Sequence, residues 1–172
     1  MSQKPLLIVE SPSKSKTIGK YLGGEYEVIA SVGHVKDLPR KELAIDIEND
    51  FEIKLHVLPN RTDFIKSLRK KAKVAPRVLI ATDPDREGEA IAAHLAGEIP
   101  EEKVGRVEFT EITKAGVQAG MDQVRDLDHN MIAAQQTRRI IDRLVGYKIS
   151  PILWQTLQSN MNFVKTALSA GR

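Results

Sequence analysis

The sequence predicts an α/β fold with a largely parallel sheet. Short apolar runs of strand type alternate with amphipathic helical patterns from residue 6 to about residue 124. The run at 6–9 is typical of a buried strand, and Gly23 and Gly24 follow the first helical pattern, where glycine commonly ends a helix. Strand and helix taking turns in this way favours a layered fold with helices packed on the sheet.

The elements follow from local signals in chain order. We predict a strand at 6–9, a helix at 13–22, extended segments at 26–32 and 52–58, a helix at about 62–74, a strand at 77–81, a helix at 87–98, a strand at 106–109 and a helix at 113–124. Thr62 or Asp63 is suited to cap the second helix, and Pro76 helps to end it.

A polar stretch at 125–129 is the predicted domain boundary, which gives one domain at 1–127 and a second part at 128–172. Beyond it, apolar residues at helical spacing predict a long helix over 130–148, and Pro151 follows that helix. The apolar positions alternate with charged ones, among them Arg138, Arg139, Asp142 and Arg143.

Composition bounds the class of protein. The chain has 172 residues, of which 41% are hydrophobic, enough for one ordinary domain with an appendage. No apolar run approaches the roughly 20 residues that cross a bilayer, and the N-terminus has no signal-peptide pattern. Cysteine is absent, which excludes disulfides and thiolate zinc sites and fits a reducing cytoplasm.

The net charge of +3 is unevenly distributed. Residues 128–172 hold six Lys and Arg against two Asp, whereas residues 1–127 hold 20 basic against 21 acidic side chains. A basic tail beside a near-neutral domain indicates a polyanion partner. A solvated helix face would carry the same charges, and charge alone does not separate the two interpretations.

An acidic motif follows the strand predicted at 77–81. Asp83 and Asp85 stand at alternate positions, so in extended chain their side chains share a side. Crowded carboxylates disfavour each other's ionisation, and an oxygen-only site with few ligands suits Mg²⁺ bound together with a phosphate. The alternative is that Asp85, Glu87 and Glu89 complement the positive N-terminus of the next helix.

A second candidate segment follows the first strand. In an open parallel sheet, ligands bind beyond the carboxyl ends of the strands, where Glu10 would meet the acidic motif if the two strands are neighbours. Ser11, Ser13 and Lys14 add hydroxyls, helix N-terminal amides and a cation, which suits a phosphate. Helix capping explains both serines equally well.

Six segments form a recognisable set along the chain: 9–18 (VESPSKSKTI), 31–39 (SVGHVKDLP), 81–89 (ATDPDREGE), 111–113 (EIT), 138–147 (RRIIDRLVGY) and 169–172 (SAGR). Together they resemble bacterial type IA DNA topoisomerases of the topoisomerase I branch. The resemblance implies the amino-terminal part of such an enzyme: a Rossmann-like Toprim domain, then the start of the helical domain that holds single-stranded DNA.

The resemblance also implies residue roles, Mg²⁺ as cofactor and the single-stranded segment of negatively supercoiled DNA as partner. It assigns Glu10 and Lys14 to catalysis, with Lys14 stabilising charge on the transferring phosphoryl group. It assigns Glu10, Asp83, Asp85 and Glu87 to the metal, and His34, Arg138, Arg139, Asp142, Tyr147, Trp154, Ser169, Ala170, Gly171 and Arg172 to DNA. Trp154 beside Ile152 and Leu153 is equally typical of a core residue.

The family relaxes DNA by transient single-strand cleavage through a 5'-phosphotyrosine. The chain contains Tyr21, Tyr26 and Tyr147, and none stands in a context that resembles the nucleophile motif. We therefore expect a piece of a cytoplasmic, nucleoid-associated topoisomerase that is inactive without the remaining domains. Two alternatives are a stand-alone magnesium-dependent nucleic-acid-binding module and another Toprim enzyme, such as a primase or small nuclease. The motif at 138–147 disfavours the latter.

Overall fold

The structure is a computed structural model that describes residues 3–160. In chain order its elements are β1 (Leu6–Val9), α1 (Pro12–Tyr21), β2 (Glu27–Ala30), β3 (Lys36–Asp37), β4 (Ile45–Asp46), β5 (Glu52–Ile53), β6 (His56–Val57), α2 (Thr62–Val74), β7 (Val78–Ala81), α3 (Arg86–Ala96), β8 (Val104–Arg106), α4 (Lys114–Met121) and α5 (His129–Asn160). Two short 3-10 turns, Pro59–Arg61 and Glu101–Lys103, precede α2 and β8.

A four-stranded parallel sheet in the order β2-β1-β7-β8 confirms the predicted α/β class. The central strands β1 and β7 are buried along their whole length, as expected when helices cover both faces. In their register, Val9 lies beside Ala81. The residues that follow these two strands therefore emerge side by side at the carboxyl edge of the sheet.

Alternate residues of the sheet feed two separate cores. Leu6 and Ile8 face one core, with side chains from α2 and α3, whereas Leu7 and Val9 face the other, with side chains from α1 and α4. Burying both faces of a sheet with the amphipathic sides of helices removes most apolar area of the strands from water. This packing fixes the strand ends relative to α1 and α3.

Several local predictions differ from the structure. The strand predicted at 106–109 lies earlier, as β8 at Val104–Arg106, because these are the residues that pair with β7. Thr62 is the first residue of α2, and α2 has no side-chain cap, because the 3-10 turn at Pro59–Arg61 runs directly into the helix. The extended segment predicted at 52–58 is divided into β5 and β6. Its first part pairs antiparallel with β4, and the Lys54 amide donates to the Ala44 carbonyl at 3.0 Å.

Helix α5 continues past its predicted end at residue 148 and contains Pro151. A proline removes its own N–H donor and usually ends or kinks a helix. Pro151 is exposed, so water can hydrate the backbone carbonyl that the missing donor leaves unpaired. Sequence signals around Pro151 therefore predicted too short a helix.

The described residues form two compact units, one of residues 3–37 and 57–134 and the other of residues 38–56 and 135–160. The domain boundary at 127/128 stays a prediction. Within residues 3–160, no helix combines the length and the apolar character that crossing a membrane requires.

Candidate functional site

The carboxyl edge of the sheet holds a cleft beside the end of β7. It has a volume of about 320 Å³ and is lined by Lys14, Ala81, Thr82, Asp83, Pro84, Phe109, Thr110, Glu111 and Ile112. Glu10 follows β1 at the same edge, because β1 and β7 are neighbours in register. The structure therefore supports the sequence expectation that Glu10 and the acidic motif lie on one edge of the sheet.

Lys14 forms an ion pair with Asp83 across this edge. Lys14 lies in the first turn of α1, where Ser11 caps the helix by accepting the Lys14 amide at 3.3 Å. The cap interpretation is thus correct for Ser11, but Lys14 is engaged with a carboxylate rather than only solvated. Both side chains stay partly exposed, which leaves them accessible to a ligand.

Asp85 caps helix α3 and thereby has a structural role. Its Oδ1 accepts the Gly88 amide at 2.7 Å, and the Thr82 hydroxyl donates to the Gly88 carbonyl at 2.6 Å. The helix-start interpretation of the acidic motif is therefore correct for Asp85. The capping contact fixes the short loop from Thr82 to Asp85 against the first turn of α3.

Gly88 is required by this close packing. A Cβ at Gly88 would lie 2.1 Å from the Asp83 carbonyl oxygen, far inside van der Waals contact. We expect Gly88→Ala to displace the Asp83 loop and to lower the free energy of unfolding by about 1–3 kcal/mol, the usual cost of overpacking. Urea denaturation and the Asp83 amide shift measure the two effects. Gly146→Ala on α5, where an added Cβ meets nothing within 4 Å, is the matched control.

Glu87 and His34 meet at the same edge. His34 Nε2 lies 3.2 Å from Glu87 Oε2, so the loop that carries His34 contacts the acidic motif. The Val32 amide of that loop also donates to the Glu10 carbonyl at 2.9 Å. The structure therefore brings His34, which the sequence placed only near DNA, next to Glu87, and the same loop contacts Glu10 through Val32.

Glu89 is fully buried and so differs from the other acids of the motif. Its carboxylate accepts from Arg106 Nε at 2.9 Å, from Arg125 at 3.0 Å and from the Asp128 amide at 2.6 Å. Burial alone would raise the pKa of Glu89, but the hydrogen bonds from Arg125, Asp128 and Arg106 bring that pKa below its usual value. Glu89 thus links α3 to β8 and to the segment before α5.

Arg106 is the residue that sequence reasoning missed. Its side chain is fully buried, and besides Glu89 it donates to the carbonyls of Thr82 at 2.9 Å and of Asp83 at 3.0 Å. It also reaches the Ile80 and Val107 carbonyls. Arg106 therefore holds the backbone that carries Asp83. A charged residue inside an apolar strand pattern was the available signal, because such a residue needs a buried partner.

The oxygen donors at this edge suit a hard cation with few protein ligands, as Mg²⁺ is when it binds with phosphate. Glu10, Asp83, Asp85 and Glu87 supply carboxylates there, and one carboxylate oxygen of Asp85 also caps α3. Within residues 3–160, no three acidic or histidine side chains converge on one point. Asp83 contacts Lys14 and Glu87 contacts His34, so each carboxylate has a cationic or polar neighbour of its own.

The predicted DNA residues of α5 lie in the second unit. Arg138 Nε lies 3.8 Å from Asp142 Oδ2, and both side chains are largely exposed. A cleft of about 370 Å³ is lined by Leu38, Arg139, Asp142, Arg143, Gly146 and Tyr147. The Tyr147 hydroxyl donates to the Arg40 carbonyl at 3.2 Å. The side chain of Trp154 and the whole of Ser169, Ala170, Gly171 and Arg172 lie outside the described residues.

Arg143, one of the charged residues interleaved along this helix, supports the cleft. Its guanidinium lies 5.5 Å from the centroid of the Tyr147 ring and donates to the Glu42 carbonyl at 3.3 Å. A cation over an aromatic face is attracted to it. Arg143 and Tyr147 therefore fix the segment around residues 40–42 to α5.

The chain is similar to known proteins both in a family model and in a solved structure. The Toprim domain family matches residues 5–112. The structure of full-length topoisomerase I from Thermotoga maritima is similar at a TM-score of 0.84 and 42% sequence identity, over 96% of this chain. The match covers 27% of that longer chain. It extends beyond the Toprim region and includes most of the residues that follow it.

Proposed function

Because the chain belongs to the Toprim family, we propose that it supplies the magnesium and phosphate site, and part of the DNA-holding surface, of a type IA DNA topoisomerase. The observation that carries the proposal is the edge of the sheet where Lys14 pairs with Asp83 and where Glu10 and Glu87 lie close by. Similarity to a topoisomerase I beyond residue 112 favours this function over another Toprim enzyme.

The residues divide the work by their chemistry. Glu10, Asp83, Asp85 and Glu87 would hold the ion, which supplies positive charge to the phosphate oxygens when it is bound. Lys14 places an ammonium beside Asp83, where it can stabilise charge that develops on a transferring phosphoryl group. Asp85 and Arg106 do not touch the phosphate in this proposal. They fix the loop that carries Asp83.

The proposed DNA-holding surface is the α5 cleft. Arg138 and Arg139 would contact phosphates, which gives binding that depends on salt and tolerates any sequence. Tyr147 stays partly exposed and can stack on a base only with the face that Arg143 leaves open. The surface therefore positions a single strand rather than reading its bases.

The salt dependence of DNA binding tests this surface. We expect Arg138→Ala/Arg139→Ala to flatten the slope of log K against log salt by about 1.4 on single-stranded DNA, because each lost phosphate contact contributes about 0.7. Fluorescence anisotropy with labelled oligonucleotides at several salt concentrations measures it. Lys66→Ala/Lys70→Ala, which removes two exposed cations from α2, is the matched control. An equal flattening in the control pair would mean that only net charge matters.

The chain should form no covalent adduct with DNA by itself. Transesterification needs an activated hydroxyl in line with the leaving oxygen. Tyr21 and Tyr26 pack against the core formed with α1 and α4, and the Tyr147 hydroxyl is bound to the Arg40 carbonyl. None of the three lines the cleft that contains Lys14 and Asp83.

Labelled single-stranded DNA, Mg²⁺ and a denaturing gel test this expectation, with full-length Thermotoga maritima topoisomerase I as the positive control. We expect a labelled protein band only in that control. A band from this chain that disappears in Tyr21→Phe, Tyr26→Phe or Tyr147→Phe would place a nucleophile inside these residues and contradict the proposed division of labour.

A further inference from the structure

The loop from Ser31 to His34 contacts two residues of the proposed metal site. Its Val32 amide donates to the Glu10 carbonyl at 2.9 Å, and its His34 side chain lies 3.2 Å from Glu87. The loop begins at the end of β2, where the buried Ser31 donates its amide to the Val9 carbonyl at 2.9 Å. Its conformation therefore bears directly on where Glu10 and Glu87 lie.

Val32 holds this loop in an unfavourable backbone conformation. Its φ is 58°, and that of the following Gly33 is 81°. Glycine adopts a positive φ freely, but a β-branched residue rarely does, because its Cβ crowds the backbone. The Val32 side chain is 46% exposed, so little apolar burial offsets this strain. Contacts of the Val32 backbone must therefore keep the loop in place.

Arg61 makes the contact on the far side of Val32. Its guanidinium donates to the Val32 carbonyl at 2.6 Å, while the Val32 amide is bound to Glu10. A hydrogen bond from a charged donor is stronger than one between neutral groups. Arg61 ends the 3-10 turn before α2, and the Leu58 amide at the start of that turn donates to the Val35 carbonyl at 3.0 Å. The 3-10 turn therefore contacts the chain on both sides of Gly33 and His34, at Val32 and at Val35.

The Arg61 side chain is placed at a cost. Its Nε is buried and finds no hydrogen-bond partner among residues 3–160. Leaving such a donor unpaired costs free energy, so side chains are seldom placed this way without another gain. The gain visible in the structure is the bond to Val32.

We propose that Arg61 is a positioning residue that latches the Val32–His34 loop against Glu10 and Glu87. It acts through the loop and does not touch the phosphate. The proposal rests on the proposed function, since its consequence is a better ordered metal and phosphate site. Sequence patterns give no sign of it, because Arg61 is separated from the acidic motif and from β1 by whole elements.

Hydrogen exchange of the backbone amide at residue 32 tests the latch without reference to metal. In Arg61→Ala we expect this amide to exchange about tenfold faster or more, the effect of losing one charge-assisted hydrogen bond. Arg61→Lys should restore most of the protection, and the exposed control Lys66→Ala should leave it unchanged. In a Val32→Gly background, which removes the strain, Arg61→Ala should reduce the exchange protection of this amide by less. If Arg61→Ala does not fold, Arg61→Gln takes its place.

A Mg²⁺ titration with inorganic phosphate tests the consequence. We expect weaker binding in Arg61→Ala at the amides of residues 10 and 87, with rescue by Arg61→Lys. The latch would be overturned if exchange at residue 32 did not change in Arg61→Ala, or if the loss of protection were equally large in the Val32→Gly background. Faster exchange with unaltered Mg²⁺ affinity would also overturn it. If the wild-type chain itself shows no Mg²⁺ response at these residues, the proposed function fails, and the exchange measurement still decides the latch.

Discussion

Glu89→Gln should lower the free energy of unfolding by about 3–5 kcal/mol, the usual cost of breaking a buried ion pair by removing one partner. The substitution removes the carboxylate that is hydrogen-bonded to the fully buried Arg106 guanidinium, leaves it with the more distant Glu108 carboxylate at 3.7 Å, and weakens the contacts of Arg125 and the Asp128 amide. A domain of this size is stable by only about 5–15 kcal/mol, so the loss is large. Urea denaturation followed by circular dichroism measures it.

As a control, Glu102→Gln, which neutralises an exposed acid, should change stability by no more than about 0.5 kcal/mol.

Acidification offers a second check of the role of Glu89. Since the folded-state pKa of Glu89 is lowered, its stabilising contribution is fully present above its usual value of 4.5 and is lost as the pH falls below that value. Burial alone would raise the pKa of Glu98, but Lys36 and Arg69 lower it, so Glu98 also contributes stability that is lost on acidification. Glu89→Gln should therefore lose less stability on acidification than the wild type. If both proteins lost the same amount of stability on acidification, the result would contradict this account of Glu89.

Most of the fold could be predicted from the sequence because its signals are local. The run at Leu6–Val9 and the helical pattern that follows it arise from side-chain periodicity, which burial on both faces of a sheet enforces. The split of the segment at 52–58 was not predictable in this way. It depends on pairing of β5 with β4, a contact between short strands that neither strand's composition indicates.

Sequence reasoning predicted which residues flank the site but could not assign their contacts. Glu10 and Asp83 were found because strand ends meet at one edge of a parallel sheet. Glu89 looked like one more acid at a helix start, since an acidic pattern is the same whether a carboxylate meets water or a buried arginine. The left-handed Val32 and its bond from Arg61 left no pattern at all, because glycine, the residue that usually signals such a backbone, stands one position later.

Binding of Mg²⁺ to the edge that carries Lys14 and Asp83 is the central claim, and Asp83→Ala should abolish it. The backbone that carries Asp83 is held in place by Arg106, which donates to the Asp83 carbonyl, and by the close packing of Gly88. Few protein ligands and retained water make the ion bind weakly alone and better with phosphate. Asp63→Ala, which removes a fully exposed acid from the start of α2, should leave the affinity unchanged.

The most direct measurement is a Mg²⁺ titration of the labelled chain followed by amide chemical shifts, with and without inorganic phosphate. We expect the shifts to centre on the amides of Glu10, Asp83, Asp85 and Glu87, to strengthen with phosphate, to vanish in Asp83→Ala and to persist in Asp63→Ala. Shifts that bypass Glu10 and Asp83, or that remain in Asp83→Ala, would contradict the proposed site.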